Sequence, residues 1–158
     1  MADQRTYVLP IAALTALTAV PFAQLATPAT VGIEIIGIEL GQETSETSQQ
    51  EILTLIHRST ASTLPTSTTP IPVFMRATAI ASLLTGSTTT NATGIATVTG
   101  TAVDTIQLPP FNVLNGFLWY PPEDMRVCLA PSRFLTLQFK TAPAANTWSG
   151  SIYFKELM

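Results

Sequence analysis

The chain has few charged residues. Aspartate, glutamate, lysine and arginine make up 11% of its 158 residues, against roughly 25% in typical soluble domains. Seven basic residues and a net charge of −3 leave little positive charge to neutralise a phosphate backbone, so we do not expect nucleic acid as a partner. A hydrophobic content of 46% also excludes the highly charged, weakly hydrophobic composition of disordered chains.

Cysteine and histidine are nearly missing as well. The single cysteine, Cys128, excludes an intrachain disulfide, and its apolar neighbours Val127 and Leu129 predict a small buried core residue. His57 is the only histidine, so a histidine-based metal site would need carboxylates from distant parts of the chain. We expect His57 to be an ordinary surface residue near the end of a strand, and we predict no metal site and no cofactor.

Motifs for nucleophilic or phosphate chemistry are also missing. The chain has no Gly-x-Ser-x-Gly turn and no glycine-rich phosphate loop. Paired carboxylates could still support acid–base chemistry. The acidic groups available for it are Glu123 with Asp124, and Glu43, Glu46 and Glu51. Both groups lie in or beside polar or proline-rich turns, so we expect solvated charges and predict that the protein is not an enzyme.

Threonine and serine take the place of the missing charge, with 26 and 10 residues. Three tracts, residues 6–33, 77–103 and 105–122, carry no charge at all and cover almost half of the chain. We expect these tracts to form the core and the contacts with neighbouring proteins. The charged stretches 34–58 and 123–133 are expected to form the solvated or ion-paired surface.

The first residues form an apolar run, 7–20, that resembles the core of a signal peptide. Asp3 offsets the charge of Arg5, however, and Pro10 and Pro21 interrupt the run. We therefore expect no cleaved signal. We also expect no transmembrane helix, because no stretch of 18 residues is free of Thr and Pro. Residues 1–28 are predicted to be an N-terminal arm or the first strands, and residues 29–158 a single β-sandwich domain.

Hydrophobic patterning is typical of an all-β chain. Residues 31–40 carry Ile and Val on both faces, which predicts a central strand. Residues 133–141 and the end of the chain alternate apolar and polar side chains. The inward set of these two strands is Leu135, Leu137, Phe139, Trp148, Ile152 and Phe154. Further strands are expected at 51–58, 94–107, 117–120 and 125–130, with one or two in 7–25.

Two stretches are less regular. Three prolines confine 63–72 to a connection or a sheet edge, because each removes a ladder donor. Residues 73–84 are compatible with a helix or a strand. Together the patterns give eight to ten short antiparallel strands separated by turns, which indicates an all-β sandwich or jelly roll.

Several segments, in their order along the chain, resemble one family of small structural proteins. They are residues 35–42 (IIGIELGQ), the 44–50 loop leading into 52–58 (ILTLIHR), 111–113 (FNV) followed by 116–123 (GFLWYPPE), and 149–156 (SGSIYFKE). This pattern is similar to the head decoration, or cement, proteins of tailed bacteriophages, which have a jelly-roll fold. Residues 74–93 contribute no matching motif.

The resemblance implies a structural virion protein without enzymatic activity. Such a protein binds the major capsid protein on the outer surface of an icosahedral head and clamps neighbouring subunits. It also implies self-association as a homotrimer, location at the capsid surface, and neither nucleic acid nor membrane as a partner. The low surface charge agrees with this, because a face of Thr, Ser and Ala can pack closely against another protein.

We predict two contact regions for such a protein. In the N-terminal stretch the candidate interface residues are Tyr7, Leu9, Leu14, Leu17 and Phe22, with internal strands as the alternative. In the second region they are Trp119, Tyr120, Pro121 and Pro122. Aromatic rings beside rigid prolines are typical of interface hot spots, although core packing is the alternative for Trp119.

Two other functions fit the same sequence. One is a tail, baseplate or head-fibre component built on the same sandwich. The other is a secreted carbohydrate-binding or adhesin module. In that module Trp119, Tyr120, Trp148 and Tyr153 would be the rings on which sugars stack.

Overall fold

Strands account for nearly all regular structure in the chain. A computed structural model describes residues 5–15, 18–44, 48–74, 79–143 and 147–158. In chain order the strands are β1 (Thr6–Thr15), β2 (Ala23–Ala26), β3 (Gly32–Gln42), β4 (Gln50–Glu51), β5 (Leu53–Arg58), β6 (Thr66–Ser67), β7 (Ile71–Pro72), β8 (Ala92–Thr93), β9 (Ala102–Gln107), β10 (Phe111–Asn112), β11 (Phe117–Trp119), β12 (Cys128–Leu129), β13 (Phe134–Phe139) and β14 (Thr147–Leu157). One 3-10 helix, Glu123–Met125, lies between β11 and β12. The described residues contain no helix long and apolar enough to span a membrane.

The strands form two six-stranded sheets and one small ribbon. Sheet A has the order β11-β3-β14-β1-β7, with β12 also paired to β3. Sheet B has the order β6-β8-β2-β13-β5-β9, and β10 pairs with β4. The predicted central strand is confirmed, because β3 has neighbours on both sides.

The longer strands are paired in a nested order. β1 pairs with β14, β2 with β13, β3 with β11 and β5 with β9, all antiparallel. Successive pairs alternate between sheet A and sheet B. The chain therefore follows a long hairpin rolled up so that its two layers pack face to face, and the predicted all-β sandwich is confirmed.

The core fills the space between the two sheets. Its largest buried side chains come from alternate positions, as strand geometry requires. The rings of Trp148 in sheet A and Phe139 in sheet B lie 5.1 Å apart between centroids and join the layers. Phe22 packs on the other side of Phe139 at 5.3 Å. The predicted inward residues of β13 and β14 are all buried, and each side chain of this size stabilises the fold by roughly 1.5–3 kcal/mol.

Two strand predictions need correction, and a third, the sheet edge at 63–72, is confirmed. Within 94–107 only Ala102–Gln107 forms a strand, because residues 94–101 bond elsewhere, as in the bond from Thr97 N to the Thr63 carbonyl, 2.9 Å. The described part of 73–84 is neither helix nor strand, and residues 75–78 lie outside the described residues. As the prolines require, 63–72 contains only two-residue strands, β6 and β7.

The long segment between β5 and β9 covers part of the outer face of sheet B, where Ser62, Thr89 and Thr90 bond to Gln24. We call residues 59–101, apart from 75–78, the cover segment. Its strands β6 and β8 extend sheet B beyond β2, and β7 extends sheet A beyond β1. The cover segment therefore closes the sandwich along one side and leaves β9 as the edge strand on the other.

The predicted division between charged surface and uncharged core holds only in part. Residues 6–33 do supply many core side chains. The stretch 34–58 is not the solvated surface, because Glu51 and Arg58 within it are buried. The described residues of the other two uncharged tracts are mostly exposed or half-buried. A strand position next to other strands determines burial here more than local charge does.

Candidate interaction surface

The outer face of sheet A is open over most of its strands. We call this surface the bare face. Its outward residues include Val8, Pro10, Ala12, Glu34, Glu39, Gly41, Leu118, Ser149, Ser151, Tyr153 and Lys155, all half-buried or exposed. Only three of these eleven are charged, and Glu34 is paired with Arg126. Because strand side chains alternate, these small and polar residues face outward while their neighbours fill the core.

Tyr120 lies over this face just after β11. Its ring occupies the space where a side chain at position 37 would be, and a Cβ added to Gly37 would overlap the ring. Tyr153 on β14 lies beside it, with 6.2 Å between ring centroids. Glycine at position 37 thus makes room for the close approach of the Tyr120 ring, and the tyrosine remains 48% exposed.

A short hydrogen bond fixes the Tyr120 side chain. The Tyr120 hydroxyl donates to Glu39 Oε1 at 2.5 Å. Burial of the phenol, the hydrogen bond to Glu39 and the negative charge of that carboxylate all raise the pKa of Tyr120. The phenol therefore stays protonated and keeps donating across the neutral pH range.

The chain after Tyr120 is held against the edge of sheet A. Pro121 and Pro122 lead into the 3-10 helix Glu123–Met125. Beyond the helix, Arg126 Nη1 forms an ion pair with Glu34 Oε1 at 3.2 Å. The Ile35 amide donates to the Val127 carbonyl at 2.8 Å. The turn is therefore anchored at both ends.

Two apolar side chains on either side of Tyr120 project into solvent, Leu118 from β11 and Met125 from the 3-10 helix. Leu118 is 71% exposed and Met125 is 69% exposed. The sequence alone does not mark them as surface residues, because apolar residues in short strand-like runs are normally core residues. On β11 Phe117 points into the core and Leu118 points outward. This alternation distinguishes Leu118 from a core residue only after β11 is known to be an edge strand.

The N-terminal interface residues are corrected by the structure. Tyr7, Leu9, Leu14 and Phe22 are all buried in the sandwich core, while Leu17 lies outside the described residues. The first four cannot contact another protein without leaving the core. The arm alternative is therefore wrong for these positions, which belong to β1 or lie beside β2.

The second predicted region is brought to the surface. Trp119 and Pro121 are half-buried, and Trp119 packs against the core cluster. Tyr120 and Pro122 are exposed. Their role as contact residues stays a prediction. Of the four rings considered for sugar stacking, Trp148 is fully buried, so only the others can meet a ligand.

The acidic side chains differ in their surroundings. Glu43, Glu123 and Asp124 are exposed as expected, and Glu46 lies outside the described residues. Glu51 is a correction, because it is 1% exposed and neither carboxylate oxygen has a hydrogen-bond partner among the described residues. Burial raises the pKa of Glu51.

His57 on β5 and Cys128 on β12 line the same cleft. His57 is partly exposed, and its Nδ1 lies 3.3 Å from Asp104 Oδ2. Cys128 is exposed, which corrects the prediction of a buried core cysteine. Its place on a two-residue strand at the edge of sheet A explains the exposure. The cleft that both residues line lies between β9 and β12.

The described residues contain no group of three His, Cys, Asp or Glu side chains that could hold a metal ion. Comparison with known proteins found no matching family model, no matching curated protein and no matching solved structure. The surface itself must therefore carry any functional argument. The bare face, with Leu118 on it, the anchored Tyr120 ring over it and Met125 exposed on the following 3-10 helix, is the strongest candidate for an interaction surface.

Proposed function

We propose that the chain is a capsid decoration protein, a structural component of a phage virion that binds the outer surface of the head. The bare face is the observation that carries the proposal. It combines little charge and small side chains with the exposed apolar side chain of Leu118, and Met125 is exposed on the 3-10 helix that follows β11. Exposed apolar groups among small polar residues are typical of protein contact surfaces.

The strand order supports the family resemblance. Four nested antiparallel pairs that alternate between two sheets are what a jelly roll requires, because that fold is a rolled hairpin of eight strands. We therefore propose the jelly roll as the fold type. Many unrelated functions share this fold, so the fold agrees with a virion protein but the function has to be argued from the surface.

The proposed partners are the major capsid protein and other copies of the chain in a homotrimer. A trimer brings several bare faces to neighbouring capsid subunits at once. Several modest contacts made together give tight binding without a large single interface. We propose no catalytic activity, and the proposed location is the capsid surface.

The direct test uses heads that lack the protein. Heads would be purified from a phage whose copy of this gene is deleted, mixed with purified protein, and examined by electron microscopy and sedimentation. We expect saturable binding at fixed positions and greater resistance of the heads to heat. Heads that bind no protein at saturating concentration would contradict the proposal.

A matched pair of variants tests the bare face itself. Leu118→Asp places a charge on the bare face, and Val98→Asp places one on the cover segment at a comparably exposed position, 57%. We expect Leu118→Asp to weaken head binding at least about tenfold, equivalent to 1.4 kcal/mol, and Val98→Asp to bind like the original chain. Equal loss in both variants would assign the contact elsewhere.

A carbohydrate-binding function has one specific observation in its favour. Tyr120 and Tyr153 lie side by side on the bare face, next to the Glu39 carboxylate. Rings and a carboxylate acceptor are groups that bind sugars. Binding of the purified protein to a glycan array, lost in Tyr153→Ala and retained in Leu118→Asp, would favour this second function over the first.

Binding to tails in place of heads is the remaining structural alternative. Gold-labelled antibody against the chain would locate it on intact particles. Label confined to a tail, baseplate or head fibre would replace the decoration proposal.

A further inference from the structure

Strand β9 is an unusually open sheet edge. The other edge strands, β6, β7, β11 and β12, have two or three residues, whereas β9 has six. All six residues of β9 are exposed, and none is proline or lysine. Proteins normally protect such an edge with prolines, charged side chains, bulges or a covering loop, because it offers unpaired backbone groups to another strand. On β9 the only such features are Asp104 and a register shift opposite the start of the strand, between His57 and Arg58, so residues 105–107 stay open.

The register identifies which backbone groups of β9 face outward. The Leu108 amide donates to the Leu53 carbonyl at 2.9 Å, and Ile106 lies opposite Leu55 in the same ladder. Because hydrogen-bonded and non-bonded pairs alternate in an antiparallel ladder, the N–H and C=O groups of Thr105 and Gln107 point away from β5. They can pair with a further strand without disturbing the sheet.

A cleft opens beside this edge, between β9 in sheet B and β12 in sheet A. Its volume is about 280 Å³. The apolar walls are formed by Leu55, Ile106, Val127, Leu129, Ala130 and Leu135. Asp104 and Ile106 line the cleft, so they are the β9 side chains that point between the sheets. Every second side chain of an added strand would point toward the cleft as well.

The rim of the cleft has an asymmetric charge. Asp104 already lies against His57, 3.3 Å from its Nδ1. Arg133 is exposed, and its guanidinium has no partner among the described residues. An acidic side chain on the added strand would find an uncompensated positive charge there, whereas a basic one would not.

We propose that β9 and the cleft form a strand-addition site for an extended segment of another protein. The segment carries an apolar side chain that fills the cleft and an acidic side chain, two residues away on the same face, that meets Arg133. In such sites the main-chain bonds supply affinity and the pocket for alternate side chains supplies specificity. The proposal goes beyond decoration, because it holds whether or not the partner belongs to a virion.

The probe is the blocked peptide Ac-Thr-Val-Thr-Leu-Thr-Asp-Thr-NH2. Its Val, Leu and Asp share one face of a strand. Binding would be followed by NMR of the amides of residues 103–107 and by the reaction rate of the Cys128 thiol, the only thiol of the chain and a residue at the cleft. We expect shifts of these amides and slower thiol modification. Exchange of the peptide Asp for Lys should weaken binding severalfold.

Thr105→Pro is the decisive variant, with Thr105→Val as its control. Proline removes the outward N–H and leaves the β5 ladder intact, and proline is tolerated at such edge positions. We expect at least about tenfold weaker peptide binding for Thr105→Pro, equivalent to 1.4 kcal/mol, and little change for Thr105→Val. If circular dichroism shows that Thr105→Pro does not fold, Gln107→Pro at the strand end tests the same point.

Three results would overturn the proposal. One is the lack of any effect on the 103–107 amides or on the thiol rate at millimolar peptide. Another is equal binding by the proline and valine variants. The third is protection of the Thr105 and Gln107 amides that grows with protein concentration in the absence of peptide, because it would assign the edge to a second copy of the chain.

Discussion

The two outer faces of the sandwich differ in the burial of their polar side chains. On sheet B the outward side chains Gln24 and Thr136 are completely buried beneath or beside the cover segment. On sheet A the outward Ser149 and Ser151 remain partly open to solvent. Both faces come from strands with the same alternation of apolar and polar residues, so the pattern determines which residues face outward but not whether they are covered.

The covered face is held by side-chain to main-chain hydrogen bonds. The Gln24 amide nitrogen donates to the carbonyls of Ser62, Thr89 and Thr90 at 3.2, 3.1 and 3.0 Å, and its oxygen accepts from the Ser62 amide at 2.8 Å. The Gly100 amide donates to Ser62 Oγ at 3.0 Å. Neutral amide and hydroxyl groups thus satisfy a buried interface that contains little charge.

Replacing Arg58 on the outer face of sheet B should lower the free energy of unfolding more than any other change considered. Its guanidinium donates to Thr136 Oγ1, the Gly100 carbonyl and Gln138 Oε1 at 2.8, 2.5 and 2.8 Å, and no carboxylate among the described residues pairs with it. Arg58→Met would leave these buried acceptors unsatisfied. We expect a loss of about 3 kcal/mol in the free energy of unfolding, measured with urea.

Arg133→Met is the matched control, because Arg133 is exposed. It should change the unfolding free energy by less than about 0.5 kcal/mol. Equal stability of the two variants would mean that the cost of burying the Arg58 charge cancels its hydrogen bonds.

Gln24→Ala tests the same face at its second anchor. The change removes four hydrogen bonds and leaves the Ser62 amide without its acceptor. We expect a loss of about 2 kcal/mol and faster amide exchange in the cover segment near Ser62. Global destabilisation without local loss of protection would show that the cover segment is held by other contacts.

The fold was predictable from sequence because apolar and polar residues alternate along every strand that has one face against the core. The inward residues of β13 and β14 follow directly from period-two patterning. The exposed edge strand β9 was predicted too long at its start, since Thr, Ala and Gly of residues 94–101 alternate without a buried face.

The candidate site was less predictable for a physical reason. Tyr120 and its prolines are notable by composition, but Gly37 and Glu39, which hold the ring, lie far away in sequence. Burial of Tyr7 and Phe22 likewise depends on sheet pairing across the whole chain. Local patterns identify strands, whereas long-range pairing decides which apolar residues remain outside.

Glu51 is a buried carboxyl group without a hydrogen-bond partner among the described residues. Because burial raises the pKa of Glu51 in the folded state, the folded protein binds the proton more tightly than the unfolded chain. Its contribution to stability is therefore largest below pH 4.5, the ordinary value, and declines as pH rises toward the folded pKa.

Glu51→Gln should remove that decline. We expect about 1–2 kcal/mol of added stability at pH 8 and little change at pH 4, measured by urea unfolding across this range. Glu43→Gln, at an exposed position, is the control. A Glu51→Gln profile parallel to that of the original chain would contradict the interpretation.

Gly37→Ala acts on the bare face. The added methyl group overlaps the Tyr120 ring, and since the ring is partly exposed it can move outward. We expect a loss of about 1 kcal/mol and a lower pKa of Tyr120 as burial and the Glu39 hydrogen bond are lost, followed by tyrosine absorbance on alkaline titration. Gly41→Ala is the control, because a Cβ there meets nothing within 4 Å.

The smallest effect should come from serine on the bare face, and it gives the sharpest contrast between the two faces. Ser62→Ala and Ser151→Ala delete the same hydroxyl group. At Ser62 the hydroxyl is buried and accepts from the Gly100 amide, so its loss should cost about 1 kcal/mol. At Ser151 the side chain is partly exposed, so water can hydrate the hydroxyl group in the folded and the unfolded chain alike. The cost of removing that hydroxyl should therefore stay below about 0.5 kcal/mol. If Ser151→Ala proved equally costly in the isolated protein, the face would already be covered in solution, and self-association would have to explain it.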